Sequence, residues 1–255
     1  MMVGQLYFPA GFFRINLSDQ NMVWIKGREP NVFSRSFIPF HFLYCRMPET
    51  DLSNPDFQLA LQFVNQTARH IFLTGKAGTG KTTFLKYIRE HGSKKMVILA
   101  PTGVAAINAG GVTLHSFFQL PFVPFIPGSQ NYFDQPGQTS NEQTLLKGLH
   151  FSSSKKDLLQ ELDLLVIDEV SMLRADMLDA IDAVLRFYRN RSVPFGGVQV
   201  LFIGDLFQLP PVVNKTEWEL LSEHYQSPFF FDAQVLKHCS MVSVSLKKIY
   251  RQKDN

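Results

Sequence analysis

The sequence predicts an α/β fold of three layers, a mostly parallel central sheet with helices on both faces. Three observations carry this expectation. The runs HIFLT (70–74), MVILA (96–100), LDLLVI (162–167) and VQVLFIG (198–204) are short and apolar almost without interruption, as strands buried on both faces are. Helical spacing of apolar residues recurs between them, most clearly at 82–91 and 173–189, which suits crossovers between parallel strands. Each run gives way at once to a glycine, proline or carboxylate turn, and ligands of open parallel sheets collect at such strand ends.

The elements follow in order. A first helix opens within MPETDLSNPDFQLALQF (47–63), with Ser53 or Asn54 as N-cap and Pro55 at its first position. The strand 70–74 leads through a glycine turn into TTFLKYIREH (82–91), where Phe84, Leu85 and Ile88 share a face and His91-Gly92 marks the stop. After the strand 96–100, Pro101-Thr102-Gly103 ends the extended run, and Thr102 is placed to cap a following helix. Residues 120–155 are rich in Pro, Gly, Ser, Gln and Asn and read as an insertion, either mobile or functional. Ser152 to Lys156 within it suit a solvated tip or a phosphate contact. On the helix 173–189, Met177, Leu178, Ile181, Val184, Leu185 and Tyr188 face the sheet, and Asp176, Asp179 and Asp182 line the other face. SPFFFDAQVL (227–236) reads as a short strand entering a helix capped by Asp232, its phenylalanines in the core.

The turn after the first strand carries the strongest chemical signal. Gly75, Gly80, Lys81 and Thr82 satisfy G-x-x-x-x-G-K-[ST] between a strand and a helix. Glycines let successive backbone N–H groups turn inward on phosphate oxygens, and the helix N-terminus adds partial positive charge. The expected cradle is Gly75, Lys76, Ala77, Gly78, Thr79, Gly80, Lys81, Thr82 and Thr83. Lys81 neutralises the β/γ oxygens of a nucleoside triphosphate such as ATP, and Thr82 ligates Mg²⁺. This places the fold among the P-loop NTPases, and the family resemblance given below implies its RecA-like form.

Asp168 and Glu169 emerge from the end of the third run. Asp168 is expected to hold the Mg²⁺ shell, and Glu169 to polarise an attacking water. A kinase needs no water-activating carboxylate, so the pair favours hydrolysis over phosphoryl transfer to an acceptor. After the fourth run, Gln208 offers an uncharged amide that can bind a γ-phosphate and be released when it leaves. Leu209-Pro210-Pro211 stiffen the chain behind it.

Composition bounds the remaining possibilities. The formal charge of +3 over 255 residues is too small to argue for a nucleic-acid partner. Two cysteines without ligand spacing favour a reducing, cytoplasmic setting. No apolar run of about 18 residues suggests a membrane span, and no signal peptide or repeat is evident. Residues 1–46 stand apart, with ten aromatics and no clean periodicity. They read either as an unstructured or mis-started extension before Met47 or as a partner-binding arm.

The motifs GKAGTGKTT, APTGVAAINAGGVTLHSFF (100–118), VIDEVSM, GDLFQLPPV and LKKIYRQ (246–252) occur in one order. Together they resemble the PIF-type, RecD-like branch of superfamily 1 DNA helicases, especially its bacterial members, from about residue 52 to 255. The resemblance implies an ATP- and Mg²⁺-dependent motor that moves 5′→3′ on single-stranded DNA. It implies adenine recognition by Gln62 or Gln58 and a γ-phosphate arginine at Arg251. It also implies single-stranded DNA contacts by Pro101, Thr102, Gly103, Thr113, His115, Ser116 and Phe117. The residues suit this: Thr102 and Thr113 offer hydroxyls to phosphate, and His115, Phe117 and Phe118 offer rings to bases, although the two phenylalanines also suit a core.

The same resemblance divides the chain into an atypical 1–46, a first RecA-like lobe over 47–245, and 246–255 leading into a second lobe. Motifs V and VI of the family are not found, so a monomeric fragment with weak ATP binding, slow hydrolysis and no unwinding is expected. The alternatives are a nucleotide-gated DNA-binding module without turnover and a P-loop kinase.

Overall fold

A computed structural model describes residues 51–128 and 139–250, together with the backbone of three strands nearer the N-terminus. Those strands, β1 (Gln5–Phe8), β2 (Gly11–Ile15) and β3 (Met22–Ile25), form an antiparallel ladder. The rest of 1–46, including Cys45, lies outside the described residues, as do 129–138 of the insertion and Arg251.

From residue 51 onward helices and strands alternate. Helix α1 (Pro55–Gln66) precedes β4 (His70–Thr74), α2 (Lys81–His91) and β5 (Met96–Ala100). Next come α3 (Gly103–Ala109), the two-residue β6 (Val112–Thr113) and α4 (Leu114–Phe118). The insertion contributes α5 (Glu142–Lys147) and α6 (Ser153–Glu161) before β7 (Leu164–Ile167) and α7 (Ala175–Tyr188). The described chain ends with β8 (Gln199–Gly204), α8 (Lys215–Leu221) and β9 (Met241–Ser245).

Six strands form one sheet in the order β6-β5-β7-β8-β4-β9, and every pairing in it is parallel. All six carboxyl ends therefore share one rim. Alternation along each strand divides the core in two. Ile71, Leu73, Val166, Leu201 and Ile203 pack with Phe57 and Val64 of α1 and Phe84, Leu85 and Ile88 of α2. Phe72, Leu165, Ile167, Val200 and Phe202 face the other way, against α4, α5, α6 and α7. The sheet is thus covered on both faces, as the continuous apolar runs predict. Each fully buried Phe, Leu or Ile contributes about 1.5–3 kcal/mol relative to exposure.

Asn54 caps α1, its side chain accepting from the Asp56 and Phe57 amides, with Pro55 at the first position. Thr102 and Thr113 cap α3 and α4. In three places the structure corrects the sequence reading. The insertion is helical after its undescribed centre, because Asn141 forms a capping box with Thr144 and Ser152 caps α6. Residues 227–236 form two 3₁₀ turns, and Asp232 accepts from the Ser227 hydroxyl instead of capping a helix. Asp176, Asp179 and Asp182 are buried, 1%, 6% and 7% exposed, because each has partners in the interior. Asp176 pairs with Arg174 and accepts from the Phe125 amide. Asp179 accepts from the Tyr225 hydroxyl and two backbone amides, and Asp182 from the Phe195 amide.

Candidate functional site: a nucleotide cradle and a hydroxyl-lined rim

The turn between β4 and α2 is built from glycines in conformations that side chains avoid: Gly75 at φ 153°, Gly78 at φ 79° and Gly80 at φ 97°. At Gly75 a Cβ would lie 2.5 Å from Thr79 Oγ1 and 2.7 Å from the Leu246 carbonyl, so no larger residue fits. Gly80 is the N-cap of α2 and brings no side-chain cap. The amides of the first turn, Lys81, Thr82 and Thr83, are thus left to an acceptor from outside the helix. That arrangement fits an anion of phosphate size.

Within the cradle, Thr79 is buried and its hydroxyl donates to the Lys76 carbonyl at 2.8 Å. Lys76, Ala77 and Gly78 are exposed at the turn's crest, and Thr82 is exposed beside it. Lys81 Nζ donates to the carbonyls of Gly75 and Lys76, the latter at 3.3 Å, which holds the ammonium over the loop.

Two strands adjacent in the sheet bring the next residues to the same rim. Asp168 continues β7, its amide donating to Leu99 O at 2.8 Å. Its carboxylate accepts from the Glu169 amide at 3.0 Å. Burial pushes the Asp168 carboxyl above its usual range, and neighbouring Glu169 adds to this, while the Glu169 amide and nearby Lys81 oppose it. A carboxylate that gains from an added cation suits a metal-binding role. With the Thr82 hydroxyl, it is a donor set of hard oxygens fit for magnesium.

Glu169 takes the left-handed conformation, φ 50° and ψ 44°, and opens the 3₁₀ turn Val170–Met172. Behind it Gly204 approaches so closely that a Cβ there would lie 3.0 Å from the Val170 amide nitrogen. This packs the end of β8 against the Asp168-Glu169 turn. The chain then bends through Asp205, which accepts from the Phe207 amide through its side chain and from the Gln208 amide through its carbonyl. Gln208 projects into solvent from this bend, with Leu209 and Pro210 exposed and Pro211 buried.

Pro101, Thr102 and Gly103 lie further along the rim, at the end of β5, and Thr113 ends neighbouring β6. The Thr102 and Thr113 oxygens accept from the Ala105 and Ser116 amides. Each hydroxyl keeps its own proton to donate outward. Gly103 and Ser116 are exposed, and His115 is half-buried. Phe117 corrects the expectation of a stacking face. It is 3% exposed, packed edge-on against Phe118 and covered by Lys155 Nζ, 2.8 Å from its ring centroid. Lys155 is accordingly neither a solvated tip nor a free phosphate ligand, and burial pushes its amine down to about 6.

The glutamines of α1 separate. Gln58 Nε2 donates to Leu52 O near the start of the helix. Gln62, one turn on, lines a cavity of about 230 Å³ with Gln58, Leu61 and Tyr87. Three residues given no role in the sequence reading, Asp51, Lys248 and Tyr250, meet the helix cap Asn54 beside the cradle. Tyr250 lies against Gly80, and its amide donates to Gly78 O at 2.8 Å. Its hydroxyl joins Asp51 and Asn54, and Lys248 pairs with Asp51. Nothing in their local pattern announces this, since the partners are separated by 196 and 199 residues.

Residues 57–255 match the family described as PIF1-like helicase. The helicase RRM3 of Saccharomyces cerevisiae is 34% identical over 73% of this chain and 24% of its own length. A Pif1 helicase of Psychrobacter is 35% identical over 66% of this chain and 24% of its own. The chain therefore spans about a quarter of these relatives' length. Among solved structures, Bacteroides Pif1 bound to single-stranded DNA superposes with a TM-score of 0.67 at 46% identity, over 78% of this chain and 43% of that one. The same protein in complex with ADP-AlF3 and single-stranded DNA agrees equally well. With its parallel sheet and P-loop rim, the chain belongs to the PIF1-like helicase family.

Proposed function

We propose that residues 47–245 act as a RecA-like motor lobe that binds and hydrolyses ATP and couples this to movement along single-stranded DNA, 5′→3′. One observation carries the reading: the residues of the cradle (Lys81), the acidic turn (Asp168, Glu169) and the sensor bend (Gln208) follow β4, β7 and β8, three neighbours in one parallel sheet. The hydroxyl-bearing turns at Thr102 and Thr113 follow β5 and β6 on the same rim. Nucleotide and strand would thus lie side by side on a single rigid edge.

In this reading the amides from Gly78 to Thr83 cradle the phosphates, and Lys81 exchanges its loop carbonyls for β/γ oxygens. Thr82 and Asp168 hold a magnesium ion, which neutralises phosphate charge when bound. Glu169 accepts a proton from the attacking water. Gln208 hydrogen-bonds the γ-phosphate, and Arg251 reaches it from the segment after Tyr250. Gln62 or Gln58 recognises the adenine. The sugar–phosphate of the strand runs over Pro101 to Gly103, Thr113, His115 and Ser116. Among the described residues no helix is long and apolar enough to cross a membrane. We take the motor to be a monomer, and the sparse cysteines and the bacterial relative support a bacterial cytoplasm.

The deciding experiment follows ATP hydrolysis with and without single-stranded DNA, in the natural chain and in Lys81→Ala. Stimulation by DNA that the substitution lowers about 100-fold or more supports the motor reading. DNA binding that responds to nucleotide without hydrolysis replaces it with a gated binding module. Phosphoryl transfer to a small acceptor replaces it with a kinase.

A further inference from the structure

Phe122 is 86% exposed, an unusual position for so large an apolar ring. It does not dangle. Its ring stacks on the His115 imidazole with centroids 4.5 Å apart and planes 13° from parallel. The loop beneath it is pinned on both sides. Leu120 is buried and its amide donates to His115 O. Phe125 and Ile126 are buried, the Phe125 amide donating to Asp176 and the Ile126 amide to Ser140 O. Pro121 and Pro124 stiffen the backbone on either side of the ring. One face of Phe122 thus lies on His115 and the other is turned to solvent by a rigid support.

We propose that Phe122 is a base-stacking platform: the outer face of its ring receives one nucleobase of a single strand that crosses the rim, giving a three-layer stack of base, Phe122 and His115. The inference rests on the reading of this rim as a DNA track and adds to it a residue outside the motifs. Three features select a base over an apolar protein partner. The ring is presented as a plane, and the residue after its stacking partner His115 is Ser116, exposed and bearing a hydroxyl. Thr113, two residues before His115, has a hydroxyl proton free to reach a phosphate. Burial and nearby Arg174 also hold the imidazole below its usual titration range, so it stacks as a neutral ring at pH 7.

The test measures the affinity of the full chain for a fluorescent oligothymidylate and for a strand of equal length lacking its bases. Phe122→Ala removes the ring, Phe122→Leu keeps apolar bulk without a flat face, and Phe122→Trp enlarges the face. Loss of one base stack weakens binding about 5- to 100-fold, so Ala and Leu should bind the oligothymidylate that much less tightly. Trp should match or exceed Phe, with its emission quenched by the strand. The base-free strand should bind all four proteins alike. A Leu variant that binds as well as the natural chain overturns the platform, as does an unchanged Ala variant. If the natural chain binds no single strand, the DNA-track reading fails and takes the platform with it. If it binds and Ala is unaffected, only the platform fails.

Discussion

The backbone amide of Tyr250 donates to the carbonyl of Gly78 at 2.8 Å, so the segment leaving β9 is stitched to the crest of the phosphate cradle. The side chain adds a second stitch. Its hydroxyl donates to Asp51 Oδ2 at 3.0 Å and accepts from Asn54 Nδ2 at 3.1 Å, and Lys248 Nζ shares the same Asp51 oxygen. A movement of this strap is therefore felt directly at the P-loop, and Arg251 is its next residue.

Asp51 is the hub of the strap, and Asp51→Ala should release it. The Lys248 ammonium, with Ser53 and Tyr250, holds the Asp51 carboxyl well below the usual range, and Asp51 in turn raises the lysine. A depressed carboxyl contributes above its unfolded value near 4 and is lost as pH falls through the lower folded value. The raised lysine contributes below its ordinary value and is lost on the alkaline side. The strap should thus hold throughout the neutral range but weaken with salt, because the pair is exposed. Amide exchange at Tyr250 and around Gly78 should quicken several-fold in Asp51→Ala at pH 7. An unchanged pattern would mean that the Tyr250 amide holds the segment unaided.

Gly75→Ala should damage the cradle without touching the chemistry. The added methyl would meet Thr79 Oγ1 and the Leu246 carbonyl inside contact distance, at a φ that side chains rarely adopt. A strained backbone position of this kind costs about 1–3 kcal/mol. Thermal unfolding should report that loss, and affinity for a fluorescent ADP analogue should fall with it. Lys81→Ala separates the two effects, since it leaves the backbone intact and should weaken nucleotide binding with little change in unfolding temperature.

Much of this site is legible in the sequence, and the physical reason is local. The cradle needs its glycines at fixed spacing, and strands buried on both faces leave continuous apolar runs, so β4, β5, β7, β8 and the turns after them can be read directly. Edges are harder. β6 is only two residues long, and β9 alternates exposed and covered positions on an outer strand, so neither gives an apolar run. Asp176, Asp179 and Asp182 look like a solvated face because their spacing is helical and their charge is local. Their partners Phe125, Tyr225, Val235 and Phe195 lie 51, 46, 56 and 13 residues away. The strap is tertiary in the same sense, and the Phe122–His115 stack joins α4 to the loop that follows it. Periodicity cannot report a contact made by a loop.

Glu169 joins strain to function. Its φ of 50° places a non-glycine residue in the left-handed region at the mouth of the site, and such conformations cost on the order of 1 kcal/mol. If Glu169 is the proposed base, Glu169→Gln keeps the shape and removes that base, so hydrolysis should fall about 10²- to 10⁴-fold with nucleotide affinity nearly unchanged. Glu169→Gly removes the base and the strain together. It should be as inactive as Gln yet unfold at a higher temperature, the direction expected where activity is bought with local strain. Equal unfolding temperatures for the two variants would show that the turn stores no strain.

Asp182 gives a pH-dependent test of the interior. The carboxylate accepts from the Phe195 amide, lies 3.5 Å from the exposed Arg186 guanidinium, and faces neighbouring Asp179. Burial pushes it up to about 6 from an ordinary 3.8, overcoming the Phe195 amide and Arg186. A folded value above the unfolded one means that the native state holds this proton more tightly. The group's stabilisation is complete below about pH 4 and is lost as pH rises through 6. At neutral pH the ionised carboxylate is therefore a cost. Asp182→Asn keeps an oxygen for the Phe195 amide and removes the charge, at the expense of a weak attraction to Arg186. It should be more stable by about 1–3 kcal/mol at pH 7.5, with the gain vanishing near pH 4. Urea unfolding at the two pH values measures both numbers, and a gain of equal size at each would trace the effect to packing instead of charge.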